Sequence, residues 1–286
     1  MLRAKSGATA LNLATGNQSI SGLGFQPKLV IFQSQPDTAN IVSRIANMHW
    51  SMGAFDGVNQ VVEASNARNG IVTTDTARYA DSTHIIKIAD PPGTMTTDYS
   101  ASAVSLDADG FTINIDNAPP INYRFGYMAL GGTDITNIKV GRFTSPAAAV
   151  PQSITGIGFT PDIVICFYSG TFGALPATGG DSTQAIGWAN GLGVNNQYAQ
   201  GTFYQDGILT PTSSTSRSNN IGYIIWSPTS TVPFIGYKAI LTSFDVDGFT
   251  LNWVTHSTLV NMNISYIAIK GTVDMKHSVG TRSLSN

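Results

Sequence analysis

Ser19-Ile20-Ser21-Gly22-Leu23-Gly24-Phe25-Gln26-Pro27-Lys28-Leu29-Val30-Ile31 decides the reading, because it returns 134 residues later as Ser153-Ile154-Thr155-Gly156-Ile157-Gly158-Phe159-Thr160-Pro161-Asp162-Ile163-Val164-Ile165. Each copy has a Gly-x-Gly turn, a Phe to plug the end of a core, a Pro to start the next element, and then a short apolar run typical of a buried strand. Further matches lie downstream. Gly53-x-x-x-Gly57 returns as Gly187-x-x-x-Gly191 at an offset of 134, and Asn69-Gly70-Ile71 as Asp206-Gly207-Ile208 at 137. Asp107-Ala-Asp109-Gly110-Phe111-Thr-Ile-Asn114 returns as Asp245-Val-Asp247-Gly248-Phe249-Thr-Leu-Asn252 at 138, and Tyr127-Met-Ala-Leu-Gly-Gly132 as Tyr266-Ile-Ala-Ile-Lys-Gly271 at 139. Five blocks recurring in one order, with so little drift, point to a duplication. The period exceeds the roughly 20–50 residues of solenoid and propeller units and fits a whole domain. The sequence therefore predicts two homologous domains, 8–142 and 143–280, joined at Phe143-Thr-Ser-Pro-Ala-Ala-Ala-Val-Pro151.

Each repeat reads as β. In Phe111-Thr-Ile-Asn-Ile115 the apolar residues alternate with polar ones, the period-2 pattern of a half-buried strand. Asp109-Gly110 and Asp247-Gly248 carry a hairpin signal. Leu29–Phe32 and Ile163–Tyr168, His84–Ile88 and Gly222–Trp226, and Tyr127–Leu130 and Tyr266–Ile269 make further matched strand pairs. One short helix is predicted over Ile41–His49, where Ile41, Ile45 and Met48 share a face. The expected fold is all-β: two tandem homologous antiparallel sandwich or jelly-roll-like domains.

Composition narrows the function. Only 11% of the 286 residues are charged and the net charge is −2, against about 25% charged in ordinary soluble domains. A nucleic-acid partner is not expected, because phosphate neutralisation needs clustered Lys and Arg. No apolar run approaches the roughly 18 residues of a spanning helix, so no membrane partner is expected. Met1–Ser6 carries two basic residues, but Gly7–Asn17 is too polar for a signal-peptide core. Synthesis in a cytoplasm without export is the expectation.

Residues able to do chemistry have structural readings. Cys166, the single cysteine, sits inside an apolar run and reads as a small core residue. Asp107-x-Asp109-Gly110 and its twin resemble the opening of a calcium loop, but strand residues follow at once where further oxygen ligands are needed; a hairpin turn is expected. His49, His84, His256 and His277 have no metal-ligand spacing and no counterparts in the other repeat. Gly22-Leu-Gly24 and Gly156-Ile-Gly158 precede strands, whereas a phosphate loop opens a helix. Trp50, Trp188, Trp226 and Trp253 are core candidates, any exposed one being available for a sugar ring or an interface. The uncharged loop Phe172–Asp181 and the polar loop Ser213–Asn220 are candidate contact tips. The sequence thus proposes no catalytic residue, no cofactor-binding residue and no metal ligand, and the chain is not expected to be an enzyme.

Taken as a set, Gly-Phe-x-Pro-(Lys/Asp)-x-Val-Ile, Asp-x-Asp-Gly-Phe-Thr-(Ile/Leu)-Asn and Tyr-x-Ala-(Leu/Ile)-x-Gly resemble tailed-bacteriophage structural proteins, over most of both repeats. The resemblance implies a virion component, either a head decoration (cement) protein or a tail-associated one. Its expected partners are the major capsid protein or other virion proteins and further copies of itself. The alternative is a tail-associated carbohydrate-binding or adhesin module whose partner is a host glycan. That reading requires an exposed aromatic platform with polar neighbours.

Overall fold

A computed structural model describes residues 1–38, 47–88, 99–192, 196–209, 213–218, 223–226, 235–256 and 262–272. The described residues form strands and no helix. In the first half these are β1 Leu2–Ala10, β2 Gly16–Ser21, β3 Pro27–Ser34, β4 Met48–Phe55, β5 Gln60–Ala67, β6 Thr76–Asp81, β7 Ile86–Ile88, β8 Tyr99–Asp107, β9 Gly110–Asn117 and β10 Arg124–Gly132. In the second they are β11 Ile135–Thr144, β12 Pro151–Ile154, β13 Ile163–Tyr168, β14 Ala177–Gly179, β15 Ser182–Ala189, β16 Gln197–Tyr204, β17 Ser213–Ser218, β18 Tyr223–Trp226, β19 Ile235–Asp245, β20 Gly248–His256 and β21 Asn263–Gly271.

The strands build four antiparallel sheets. A large sheet of order β1-β10-β3-β4-β5-β6-β14 is covered by a small one, β2-β9-β8-β7. A second large sheet, β11-β21-β13-β15-β16-β17, is covered by β12-β20-β19-β18. With β14 set aside, the two strand orders agree step by step. The large sheets pack on each other through their remaining faces, which gives three apolar layers. The first holds Phe32, Phe111, Phe125 and Tyr99, with Phe32 and Phe111 edge-to-face at 5.5 Å. Its counterpart holds Tyr168, Tyr237, Phe249 and Trp253. Between the large sheets, Leu29, Ile31, Met52, Ala54 and Val61 meet Val140, Phe167, Ile267 and Ile269.

This arrangement explains the apolar runs. In β3, Val30 and Phe32 enter the first core while Leu29 and Ile31 enter the central one. Successive side chains point to opposite faces, so a strand buried on both sides has no polar alternation to show. β13 does the same with Cys166 and Phe167. In β9, with one face packed, Phe111, Ile113 and Ile115 are buried while the alternating Thr112 and Asn114 are not.

Three local expectations change. The Asp-Gly hairpins have Ala108-Asp109 and Val246-Asp247 as their central residues, since Asp107 pairs with Gly110 and Asp245 with Gly248. The glycines serve close approach instead: a Cβ on Gly110 would lie 1.8 Å from the Ile20 carbonyl oxygen, and one on Gly248 1.9 Å from that of Ile154. Ser213–Ser218, read as loop from its composition, is β17, because the open edge of β16 supplies hydrogen-bond partners. Residues 41–46 of the predicted helix lie outside the described residues; Met48 and His49 open β4, paired with Ala67 and Asn66.

The chain passes between the large sheets at Thr133-Asp134. β11 therefore straddles the 142/143 boundary drawn from the repeat, and it pairs throughout with β21. β14 crosses the other way: Ala177, Thr178 and Gly179 pair with Ala80, Tyr79 and Arg78 of β6. The loop Phe172–Asp181 thus makes its contact with the other half of its own chain.

Candidate functional site

The repeated aspartates fasten turns. In each half the two Gly-x-Gly glycines take left-handed conformations, with φ of 84° and 78° at Gly22 and Gly24 and of 79° and 89° at Gly156 and Gly158. That brings their N–H groups to one carboxylate. Asp109 accepts from Gly22 at 3.0 Å and Gly24 at 2.5 Å, and Asp247 from Gly156 at 2.9 Å and Gly158 at 2.5 Å. These amide donors hold the Asp247 carboxyl below its ordinary pKa. Asp107 and Asp245 accept from Thr112 and Thr250, both at 2.7 Å. Phe25 and Phe159, next to the turns, are buried in their cores. The motif spacing joins the start of one strand pair to the end of another.

Cys166 is buried, and burial pushes its thiol up to about 12, far from a reactive thiolate. His84 comes closest to a catalytic arrangement. Its Nδ1 lies 2.5 Å from Asp81 Oδ2, and Tyr79 donates to the same oxygen. Burial would raise the Asp81 carboxyl pKa, but donors from His84, Tyr79 and Thr83 outweigh it and hold the group well below the usual carboxylate range. A nucleophile would have to face Nε2; that nitrogen looks instead towards Asp116 Oδ2 at 3.9 Å. His256 Nε2 lies 2.5 Å from the Pro146 carbonyl oxygen. His277 lies outside the described residues. Among the described residues no group of three His, Cys, Asp or Glu is placed to hold a metal ion, and no helix is long and apolar enough to cross a membrane.

Two places between the large sheets depart from apolar packing. At one end, Glu63 of β5 is fully buried. It accepts from Arg142 Nη1 at 2.5 Å, from Ser265 Oγ at 2.8 Å, and from the N–H and Oγ of Ser169 at 3.0 and 2.6 Å. Arg142 Nη2 also donates to the carbonyls of Val62 and Asp81, at 3.1 and 2.7 Å. Burial pushes the Glu63 carboxyl up, and Arg142 and the serine donors oppose that shift.

At the other end the sheets part around a groove of about 350 Å³ lined by Gln33, Trp50, Gln184, Trp188, Gln200 and Thr202 among others. Strand pleating places these residues. Gln184, Ile186 and Trp188 share the inner face of β15, opposite Thr202, Gln200 and Tyr198 of β16. Trp188 is 42% exposed and stacks on Tyr198 at 4.7 Å and 28°. Trp50 is half-buried against the central core. Gln184 Nε2 is 2.5 Å from Met48 Sδ. An adjoining hollow of about 430 Å³ shares Gln33 and Trp50 and adds Ala8, Gln35, His49, Arg124 and Gly126. Of the other tryptophans, Trp253 is 1% exposed and donates to Gln152 Oε1 at 3.0 Å; Trp226 lies in β18, its side chain outside the described residues.

The sequence reading missed the first end and named only Trp50 and Trp188 of the second. A lone acid in Val61-Val62-Glu63-Ala64 is a visible signal for the first. The glutamines of the second carry no such signal, because Gln33 of β3 meets Gln184 and Gln200 of β15 and β16 only in the folded chain. Compared with protein-family models and with curated proteins, the chain matches none.

Proposed function

We propose that the chain is a non-enzymatic structural protein of a tailed-bacteriophage virion, acting as a capsid decoration or cement protein that docks on the head lattice. The carrying observation is that the motif residues behind the phage resemblance are spent on shape. Asp109 and Asp247 bind backbone amides in matching geometry, and Asp107 and Asp245 bind threonines. Carboxylates so occupied hold a scaffold rigid and do not await a substrate. The common strand order supports descent of both halves from one copied unit. A module of this kind, present in many copies as a symmetric oligomer, would stabilise a particle through the sum of weak contacts. The test is addition of the purified chain to phage heads lacking it. Co-sedimentation that saturates at a fixed number per capsomer, with raised heat resistance of the heads, is expected. Failure to co-sediment with heads overturns the assignment.

A further inference from the structure

We infer that the groove between the two large sheets binds a neutral oligosaccharide, with Trp188 as the stacking platform and Gln33, Gln184 and Gln200 as partners for its hydroxyls. The inference rests on the groove alone, and does not depend on where in a particle the chain sits. A pyranose has a face of C–H bonds and an equator of hydroxyls. The C–H face suits the negative face of an indole ring. Trp188 offers such a ring, exposed and braced from behind by Tyr198. Trp50 supplies a second aromatic wall.

The polar lining selects among ligands. A sugar hydroxyl both donates and accepts, and so does a side-chain amide, whereas a carboxylate only accepts and an ammonium only donates. Gln33, Gln184 and Gln200 meet that requirement, and among the described residues none that lines this groove is charged. Arg124 lines only the adjoining hollow, where it donates to the Ala8 carbonyl at 3.0 Å, so an anionic ligand finds no counter-charge among the described lining residues of the groove. A purely apolar ligand would strip water from the exposed amides of Gln33 and Gln200 without replacing its hydrogen bonds. The volume falls within the range of small-molecule clefts.

Gln33 and Gln200 are also not packed into the core. The equivalent positions in the other half, Phe167 for Gln33 and Glu63 for Gln200, are buried. Both glutamines are exposed.

The experiment titrates the full chain with a panel of neutral hexose and N-acetylhexosamine oligosaccharides, with sialylated and sulfated glycans alongside, reading tryptophan fluorescence and heat of binding. Saturable binding of at least one neutral member is expected. Trp188→Ala should weaken it about tenfold or more, and Gln200→Ala severalfold. Val58→Ser, at a site 85% exposed in a turn of the first half, should leave binding unchanged. Thermal melts check that each variant folds. The assignment is overturned by no binding across the neutral panel, by binding confined to the charged glycans, or by neutral binding that Trp188→Ala leaves intact.

Discussion

The two ends of the central interface are built from matching positions and close in opposite ways. Reading one rung across the first large sheet gives Ala8, Gly126, Gln33, Met52 and Glu63. The matching rung of the second gives Arg142, Ser265, Phe167, Ile186 and Gln200. Where Glu63 faces Arg142 and Ser265, the gap is filled by charge and hydrogen bonds. At the other end Gln200 corresponds to Glu63, while Arg142 and Ser265 correspond to Ala8 and Gly126. A Cβ on Gly126 would find its nearest neighbours only at 3.9 Å. Small residues replace large ones, and a groove remains. One interface can thus keep a lock at one end and a binding surface at the other, because the apolar middle holds the sheets together without either.

The largest expected effect comes from breaking the lock. Glu63→Gln leaves the Arg142 guanidinium buried without a counter-charge and should cost about 3–5 kcal/mol in chemical denaturation. Replacing the pair together, Glu63→Leu with Arg142→Met, should recover most of that loss. If the single change costs no more than Gln200→Ala at the open end, the contrast between the ends is wrong.

Next comes acid stability. Asp81, whose carbonyl receives Arg142, has a carboxyl pKa depressed in the folded state. Its contribution is therefore complete above the unfolded carboxylate value of about 3.9 and is lost as pH falls below it. Asp81→Asn should lower the midpoint near neutrality and flatten the acid limb of the stability profile. Gln200→Ala should leave that limb unchanged. Denaturation midpoints from pH 7 to pH 2.5 check both.

The smallest effect on stability is expected from building the lock at the open end. Ala8→Arg with Gln200→Glu should change stability by about 1 kcal/mol or less, since both positions are exposed and an ion pair in contact with water is worth little. The same double change should abolish oligosaccharide binding by filling the groove. Retained binding would show that the two ends are not equivalent in space.

These contrasts also show what the sequence could disclose. Strands with one dry face, such as β9 and β20, announce themselves by alternation. The Gly-x-Gly and Asp-x-Asp-Gly motifs recur because a turn and the carboxylate that clasps it must keep their spacing. The central interface stays hidden. Its strands are wet on neither face, so β5 reads Gln-Val-Val-Glu-Ala-Ser-Asn-Ala, nearly all buried yet half polar. Ser65 and Asn66 there are buried as fully as Val62. β1, exposed along most of its length, gives no hydrophobic signal, and only pairing with β10 makes it a strand. The groove was legible only through the tryptophans, and among those with described side chains Trp188 is the one that combines exposure with amide neighbours.

The crossing of β14 onto the edge of β6 has a consequence for the history and handling of the molecule. A chain severed near Asp134 would yield two fragments, each with a bare apolar flank, and one would carry the short ribbon that completes the other. Such fragments should seek each other like the halves of a split reporter. In mechanical terms the two halves behave as a tethered pair, each covering the apolar flank of the other.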